Sequence, residues 1–543
     1  MRDKGPDRAF LLYFLPINMQ QKTTTLLLFL ALSGVLSAQS VNWANDIAPI
    51  IYDHCANCHR PGGIGNFSLT DYPSVFTMRD EVADAVINRR MPPWKADPAY
   101  RHYAGENYLT DTEIALVEQW VAANAPSGNL AEAPAPPVFT EGSAIGIPDM
   151  VLQTPVYTMT ATQDEYRCFV VPSGLTQTAY LAGLEVIPGN HQAVHHVLIY
   201  EDVTGQGKIL DQQTPDAGYV SFGGPGFNAR LVGAWVPGNQ ARLLPENMGI
   251  KLTGGADLIV QVHFPGSATG MTDQSTLNLF FTPNNQNVRE VGIAPLLNHS
   301  SFSLVNGPLQ IPANTVKEFQ NKYTVPQTSS IIAVGPHMHL IGRSMKCFGV
   351  TLQNDTIPLI NIPSWDFHWQ GNYTFQKLQK VPIGTKLYGF AVYDNTENNP
   401  FQPSSPPQNV ALGEATTDEM MLTYFIYTSY LPGDENIILD STLLTSALPV
   451  LPDQSSVMPS VKVTPNPVKR TAEIQFDLSQ PDAITMIIAN ESGKIIRQIP
   501  AQGDLPAGTH FQQIDLTGLP PGNYTVQLKN KKGEGRIVNL VKI

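Results

Sequence analysis

Cysteine is scarce, with four in 543 residues, too few for a chain of small disulfide-stapled modules. Charge is sparse as well, at 15% of residues, and acidic in balance, with 33 Lys and Arg against 46 Asp and Glu. A chain without a basic excess lacks the electrostatic footprint of a nucleic-acid binder, so no nucleic-acid partner is expected. No apolar run is long enough for a convincing membrane span. Hydrophobic residues nonetheless reach 42%, which excludes a disordered chain, and the length allows roughly three or four domains.

Two of the four cysteines stand in Cys55-Ala56-Asn57-Cys58-His59. C-x-x-C-H is the attachment motif of a c-type haem: two thiols bond the vinyl groups, and the adjacent imidazole becomes an axial iron ligand. A bare C-x-x-C would also suit zinc or a redox pair; the following His favours haem. The second axial ligand is expected to be Met91 in Arg89-Arg90-Met91-Pro92-Pro93-Trp94, with Met78, His54 and His102 as rivals. A thioether opposite His raises the potential and leaves no open position, which suits electron transfer. The run from Cys55 through Pro61-Gly62-Gly63 to Met91-Pro92-Pro93-Trp94 resembles small class I cytochromes c, especially those fused to other redox modules.

Near the N-terminus, Lys22 precedes the apolar run Leu26–Leu32, and Val35-Leu36-Ser37-Ala38 follows. Residues 1–38 therefore read as a secretory signal peptide, although Leu36 is larger than the usual residue there, and a retained anchor is the alternative. Met19 is a more ordinary start for such a peptide than Met1, which leaves the translation of residues 1–18 open. Export permits a disulfide between the remaining cysteines, Cys168 and Cys347, closing a long loop, but sequence does not fix its geometry.

Residues 39–128 carry helical patterning around the haem motif. Thr110-Asp111-Thr112-Glu113 is a capping box, followed at helical spacing by Ile114, Leu116, Val117, Trp120 and Val121. Residues 129–148, rich in Ala, Pro and Gly, read as a linker. From 149 to 450 short alternating strands separated by Pro, Gly and Asn turns give an all-β signature, with a length suited to two antiparallel sandwiches, 149–288 and 289–450. A last β module covers 456–543, where Ala472–Leu478 and Tyr524–Leu528 alternate cleanly. With ten Lys and Arg against seven Asp and Glu, it is net positive on an acidic chain.

Of 12 histidines, five form three patterns in the β region: His195-His196, His263 and His337-Met338-His339. Strand side chains alternate with period two. His337 and His339 are thus expected on one face, with Ile332, Val334, Met338 and Leu340 on the other. His263 is expected beside Gln261, away from Leu258, Val260, Val262 and Phe264. His195 and His196 nominally oppose each other, so joint ligation needs a twist or different ring nitrogens. Imidazole clusters suit zinc, copper or iron, and the lack of a nearby carboxylate motif argues against a non-haem iron triad. Met420 adds a thioether, which selects Cu(I) over zinc. A lone strand His is usually structural, and His191 and His368 are read as structural or cleft-lining. His299 and His510 are given no role, and Trp365, Phe367 and Trp369 are read as core.

His195-His196, His263, His337-x-His339 and Met420 occur in an order that resembles the copper type II, ascorbate-dependent monooxygenases, the family of peptidylglycine α-hydroxylating and dopamine β-monooxygenases. The resemblance spans roughly residues 150–445. It implies two jelly-roll-like β domains, each holding one copper ion, facing each other across an open cleft. By position, His195, His196 and His263 would bind the electron-donating copper. His337, His339 and Met420 would bind the copper that activates dioxygen, and Tyr424 would contact substrate. Peptide-hydroxylating members carry an Arg two residues before His-x-His and an Asn between the Met and the Tyr. Gly335 and Leu422 stand here, which argues against a peptide substrate and for a more apolar pocket.

The last module resembles the C-terminal sorting domain of proteins exported by the type IX secretion system of Bacteroidetes, through Val463-Thr464-Pro465-Asn466-Pro467, Leu519–Tyr524 and the basic end. A generic adhesive sandwich is the alternative. The parts together imply a secreted or cell-surface, copper- and haem c-dependent monooxygenase. It would use dioxygen, a small-molecule substrate and an external electron donor, and meet the type IX machinery. A non-catalytic copper-binding electron relay and a zinc-bearing binding module are the rival readings.

Overall fold

Apolar alternation with period two can be buried only by laying one sheet face against another, and the architecture repeats that solution three times. The computed structural model describes residues 41–137, 143–239, 241–283, 285–440 and most of 458–542. The expected signal peptide, residues 1–38, lies outside them, as does part of the expected linker. No described helix is long and apolar enough to cross a membrane.

The N-terminal part is helical. Ala48–His54, Tyr72–Thr77, Arg79–Ile87 and Asp111–Ala122 pack around Trp43, Ile47 and Trp120. Thr110 caps the last of these: its hydroxyl accepts from the Glu113 N–H at 3.2 Å while the Glu113 carboxylate accepts from the Thr110 N–H at 2.8 Å.

The first sandwich sets a sheet of strands 150–153, 276–281, 179–187, 248–252 and 289–290, in that spatial order, against one of 219–220, 165–172, 257–264, 196–202 and 230–235. Leu181, Leu252 and Leu277 from one sheet meet Phe169, Val197 and Val260 from the other. Arg289–Glu290 pairs with Met248–Gly249, so the chain leaves this sandwich only after residue 290.

The second sandwich sets strands 292–297, 422–429, 329–337 and 373–381 against 315–324, 386–395, 342–350 and 356–362. Its strand 329–337 does not alternate simply. A bulge between Ile331 and Ala333 shifts the register. Ile331, Val334, Met338 and Ile341 therefore enter the main core, while Ile332 and Ala333 face a smaller cluster with Met248 and Leu378. This corrects the expected row: Ile332 leaves it, and Ile341 fills the place given to Leu340.

The disulfide expectation is also corrected. Cys168 and Cys347 are free and fully buried in different sandwiches. Cys168 lies beside the Gln261 amide at 3.6 Å and Cys347 beside the Thr423 hydroxyl at 3.3 Å: Cys347 enters the second sandwich's core, and Cys168 a small cluster with Tyr219 and Ile259 on the other face of its sheet.

Between helices, residues 94–104 leave the helical part and strap it to the second sandwich. The Asp97 N–H donates to the Asn361 carbonyl at 2.9 Å, and the Ala104 N–H to Thr374 at 2.8 Å. Tyr103, 1% exposed, stacks on Phe375 at 5.9 Å and donates to the Leu359 carbonyl at 2.7 Å. Lys95 pairs with Asp366 at 3.2 Å.

A buried ion pair closes the second sandwich. Asp434 accepts from the Arg289 guanidinium at 2.6 Å and from the Ser330 hydroxyl at 2.6 Å. Burial opposes its ionisation, but these donors and the Leu431 N–H win, holding its carboxyl down to about 2. A carboxyl depressed on folding stabilises above its unfolded pKa and loses that stabilisation as pH falls through the folded one. Asp434→Asn is expected to lower stability at pH 7 by about 2 kcal/mol, and the difference from the parent to shrink between about pH 4 and 2. Denaturant titration across that range checks it.

The last module is a two-sheet unit of strands 461–464, 471–478 and 508–515 against 495–499, 485–490, 522–529 and 535–542, with Ile474, Phe476, Ile488, Val526 and Leu540 in its core.

Candidate metal centre

Strand Asp257–Phe264 is buried along its whole length between Glu165–Pro172 and His196–Asp202. Leu258, Val260, Val262 and Phe264 enter the sandwich core, leaving His263 on the opposite face with Ile259 and Gln261. Register places His263 directly across from His196 on one side and Tyr166 on the other. His195 falls at a bend before the strand begins, its N–H donating to the His263 carbonyl at 2.9 Å. Outside the strand it is released from alternation, and its ring turns to meet its neighbour. His195 Nδ1 lies 3.2 Å from His196 Nδ1 and 3.1 Å from His263 Nδ1. The three residues offer ligand atoms within 4.8 Å of one another.

Two further groups orient this cluster. Tyr166 stacks on His263 at 4.2 Å and 6°. Asp164 Oδ2 lies 3.2 Å from His263 Nε2, and that contact holds the Asp164 carboxyl below its usual range. A carboxylate behind a histidine fixes which ring nitrogen faces a ligand. Burial pushes His195 down to about 3 and His196 far below its ordinary value, with the neighbouring imidazoles adding to both shifts. At neutral pH both are uncharged, with lone pairs available.

The second cluster comes from the other sandwich. His337 ends strand Ser329–His337 and His339 follows, their rings 5.1 Å apart at 89°. His337 Nδ1 donates to the Gln370 side-chain oxygen, and His339 Nδ1 to the Asp418 carbonyl at 3.1 Å. Both rings thus carry their proton on Nδ1, leaving Nε2 with its lone pair. Burial pushes His337 to about 3 and His339 to about 4. Met420, 7% exposed, adjoins Glu419, which is fully buried. The Glu419 carboxylate accepts from the His339 and Ile341 N–H groups, each at 2.9 Å, and from the Met420 N–H at 3.2 Å. One side chain thereby ties the His-x-His turn to the Met420 turn. Burial pushes its carboxyl up to about 8 against those N–H groups, which favour the anion.

Both clusters open on one cavity of about 520 Å³ between the sandwiches, lined by His195, His196, His337, His339, Met420 and Tyr424. His263 sits behind its partners, 2% exposed. Register sets Leu422 opposite His337 and Tyr424 opposite Gly335. A side chain at Gly335 would collide with the Asn372 amide, so the space an Arg would use is taken. Glu414, raised by burial and by Asp418, lines the same cavity.

Cys58 and Pro93 line this cavity too. Cys55 and Cys58 are free, and burial pushes Cys55 up to about 12. The His59 N–H donates to the Cys55 carbonyl at 3.0 Å, and its ring packs on Phe67 at 4.4 Å. A side chain at Gly65 would strike His59 Nδ1. Met91 is half-buried on the turn after Arg79–Ile87. Of its rivals, His54 bonds Asn107 at 2.8 Å and His102 bonds Glu106 at 2.9 Å, while Met78 joins two helices and packs against the helical core.

Several residues here carried no sequence signal. Trp365 and Phe367 are buried as expected, with Phe367 at the cavity wall, while Trp369 lines the cavity, which corrects its reading as core. His299, given no role from sequence, also lines the cavity and accepts from the Met421 N–H at 3.3 Å. Glu419 was detectable in principle as an acid adjoining Met420. Asp164, Gln370 and Asn372 become visible only once strands are paired.

Residues 462–541 match the family described as "Secretion system C-terminal sorting domain". The last module is a type IX sorting domain. The protein is accordingly secreted or held at the cell surface of a Gram-negative, Bacteroidetes-type bacterium, and its tail meets the type IX machinery. Among solved structures the chain is similar to CopC from Methylosinus trichosporium OB3b, at 18% identity over 16% of this chain and 85% of that one, with TM-score 0.12. It is similar to a calcium-binding mutant of β-glucuronidase 2 from Bacteroides uniformis, at 11% identity over 46% of this chain and 32% of that one, with TM-score 0.15. The BSP domain of a biofilm associated protein gives 10% identity over 75% of this chain and 84% of that one, with TM-score 0.14. No activity is inferred from similarities this slight.

Proposed function

We propose that this is a secreted copper-dependent monooxygenase that hydroxylates a C–H bond of a small molecule with dioxygen. The observation that carries the reading is the opening of two histidine clusters, one from each sandwich, on a single cavity. The donor chemistry fits: imidazole Nδ1 atoms 3.1–3.2 Å apart resemble ligands spaced around one ion at roughly 2.0–2.1 Å, and the thioether of Met420 favours Cu(I). In this reading the copper type II, ascorbate-dependent monooxygenases are the family, and both sandwiches wrap as jelly rolls. Bound copper would supply single-electron transfer at His195, His196 and His263 and dioxygen activation at His337, His339 and Met420.

The chain's own residues then have separable tasks. Gln370 and Asp418 hold His337 and His339 in one tautomer, and Glu419 keeps Met420 beside them. Leu422 and Ile426 give the cavity an apolar wall with Tyr424 between them, fitting a largely apolar substrate better than a peptide carboxylate. Cys55 and Cys58 would bond a haem and His59 and Met91 would hold its iron, while the 94–104 strap ties the helical part to the second sandwich. A haem held there would supply one-electron chemistry drawn from an external donor.

Metal analysis of protein matured with haem, then oxygen-18 incorporation into candidate substrates, tests the reading. Two copper ions per chain and label in the product are expected. Copper uptake without dioxygen consumption would leave an electron relay. Met420→Leu is expected to cut incorporation at least about a hundredfold, as loss of a positioned catalytic group does, while copper stays bound at the His195 cluster; an unchanged rate would overturn the role of Met420.

A further inference from the structure

Phe367 is 8% exposed, and it lies at the cavity wall and not in the main core cluster of the second sandwich. Its ring lies among imidazoles: stacked on His195 at 5.5 Å and 21°, edge-on to His339 at 5.9 Å and 89°, and 6.0 Å from His368. A phenyl ring with those neighbours spans from one histidine cluster to the other. Its own loop is fastened to the second cluster at both ends. The Trp365 indole donates to the His339 carbonyl at 3.2 Å. The Gln370 amide donates to the Phe367 carbonyl at 2.9 Å, and the Gln370 side-chain oxygen accepts from His337 Nδ1. From outside, Lys95 of the strap reaches Asp366 at 3.2 Å, so the same loop is held by the helical part.

We infer that Phe367 is a positioning residue that sets the separation of the two histidine clusters by filling the space between His195 and His339. Ring contacts on both sides and the backbone hydrogen bonds of its loop confine this rigid aromatic ring. The spacing is thereby fixed by packing, with interdomain sway suppressed. Resting on the copper reading above, this would place a packed phenyl contact between the residues that would hold the two ions.

The test uses the full chain with Cu(II) at both clusters. Pulsed EPR is expected to give one narrow copper–copper distance in the parent and in Phe367→Trp. Phe367→Ala is expected to keep both ions but to show a broadened, shifted distribution and new deuterium modulation in heavy water. An unaltered distance with no added deuterium coupling in Phe367→Ala would overturn the inference. The metal-free protein separates this from the copper reading. There Phe367→Leu is expected to shift the ring-proton resonances of both His195 and His339, and no shift at either sinks the positioning role whatever metal binds. Uptake of fewer than two copper ions counts against the monooxygenase reading alone.

Discussion

Glu419→Ala is expected to be among the most damaging single substitutions in this chain. It strips the acceptor from the buried N–H groups of His339, Ile341 and Met420. A buried donor left without a partner costs about 1–3 kcal/mol, so a loss of about 3 kcal/mol or more is expected. Glu419→Gln keeps one carbonyl oxygen and is expected to lose less. Because this carboxylate joins the turns bearing His339 and Met420, copper affinity should fall at that cluster and hold at His195, His196 and His263. Denaturant unfolding and copper titration read the two effects. Unfolding of Glu419→Ala within about 0.5 kcal/mol of the parent, the range of an ordinary surface change, would show that the carboxylate carries no such load.

Mild acid is expected to be the other large perturbation, and it acts on the metal-free protein. Burial holds His195 and His337 at about 3, His339 at about 4 and His196 far down, against roughly 6.5 in an unfolded chain. Below about pH 6.5 the unfolded state therefore binds protons that the native clusters refuse, so stability falls as pH drops toward the depressed values. The slope approaches about 1.4 kcal/mol per pH unit for each such histidine, less where neighbouring rings share the protons. Thermal unfolding from pH 7 to pH 4.5 should show a steep fall, reduced when His196 and His337 are each replaced by Gln. A flat profile through pH 5 would mean that these rings are not buried as neutral bases. The Asp434 effect begins only near pH 4, so the two transitions are separable.

Much of the architecture was legible from local pattern. The capping box at Thr110, the alternating strands of the tail and the row Leu258, Val260, Val262 and Phe264 follow from spacing because helix and strand periods are local properties. Two departures came where a backbone irregularity intervened. The bulge after Ile331 slipped the face of strand 329–337, and the bend at His195 removed the opposition that alternation imposed on His195 and His196. Neither irregularity has a residue signature in its own stretch.

The sequence by itself determined the chemistry on offer: imidazoles, two thioethers, a C-x-x-C-H loop and an export tail, each identifiable by residue type and short spacing. Tertiary structure alone decided their company. It separated Cys168 from Cys347, put Asp164 behind His263, and brought Phe367 between His195 and His339. Side chains from segments more than a hundred residues apart meet only when two sheets close on a common core, and that closure depends on the packing of the whole chain, which no local stretch encodes.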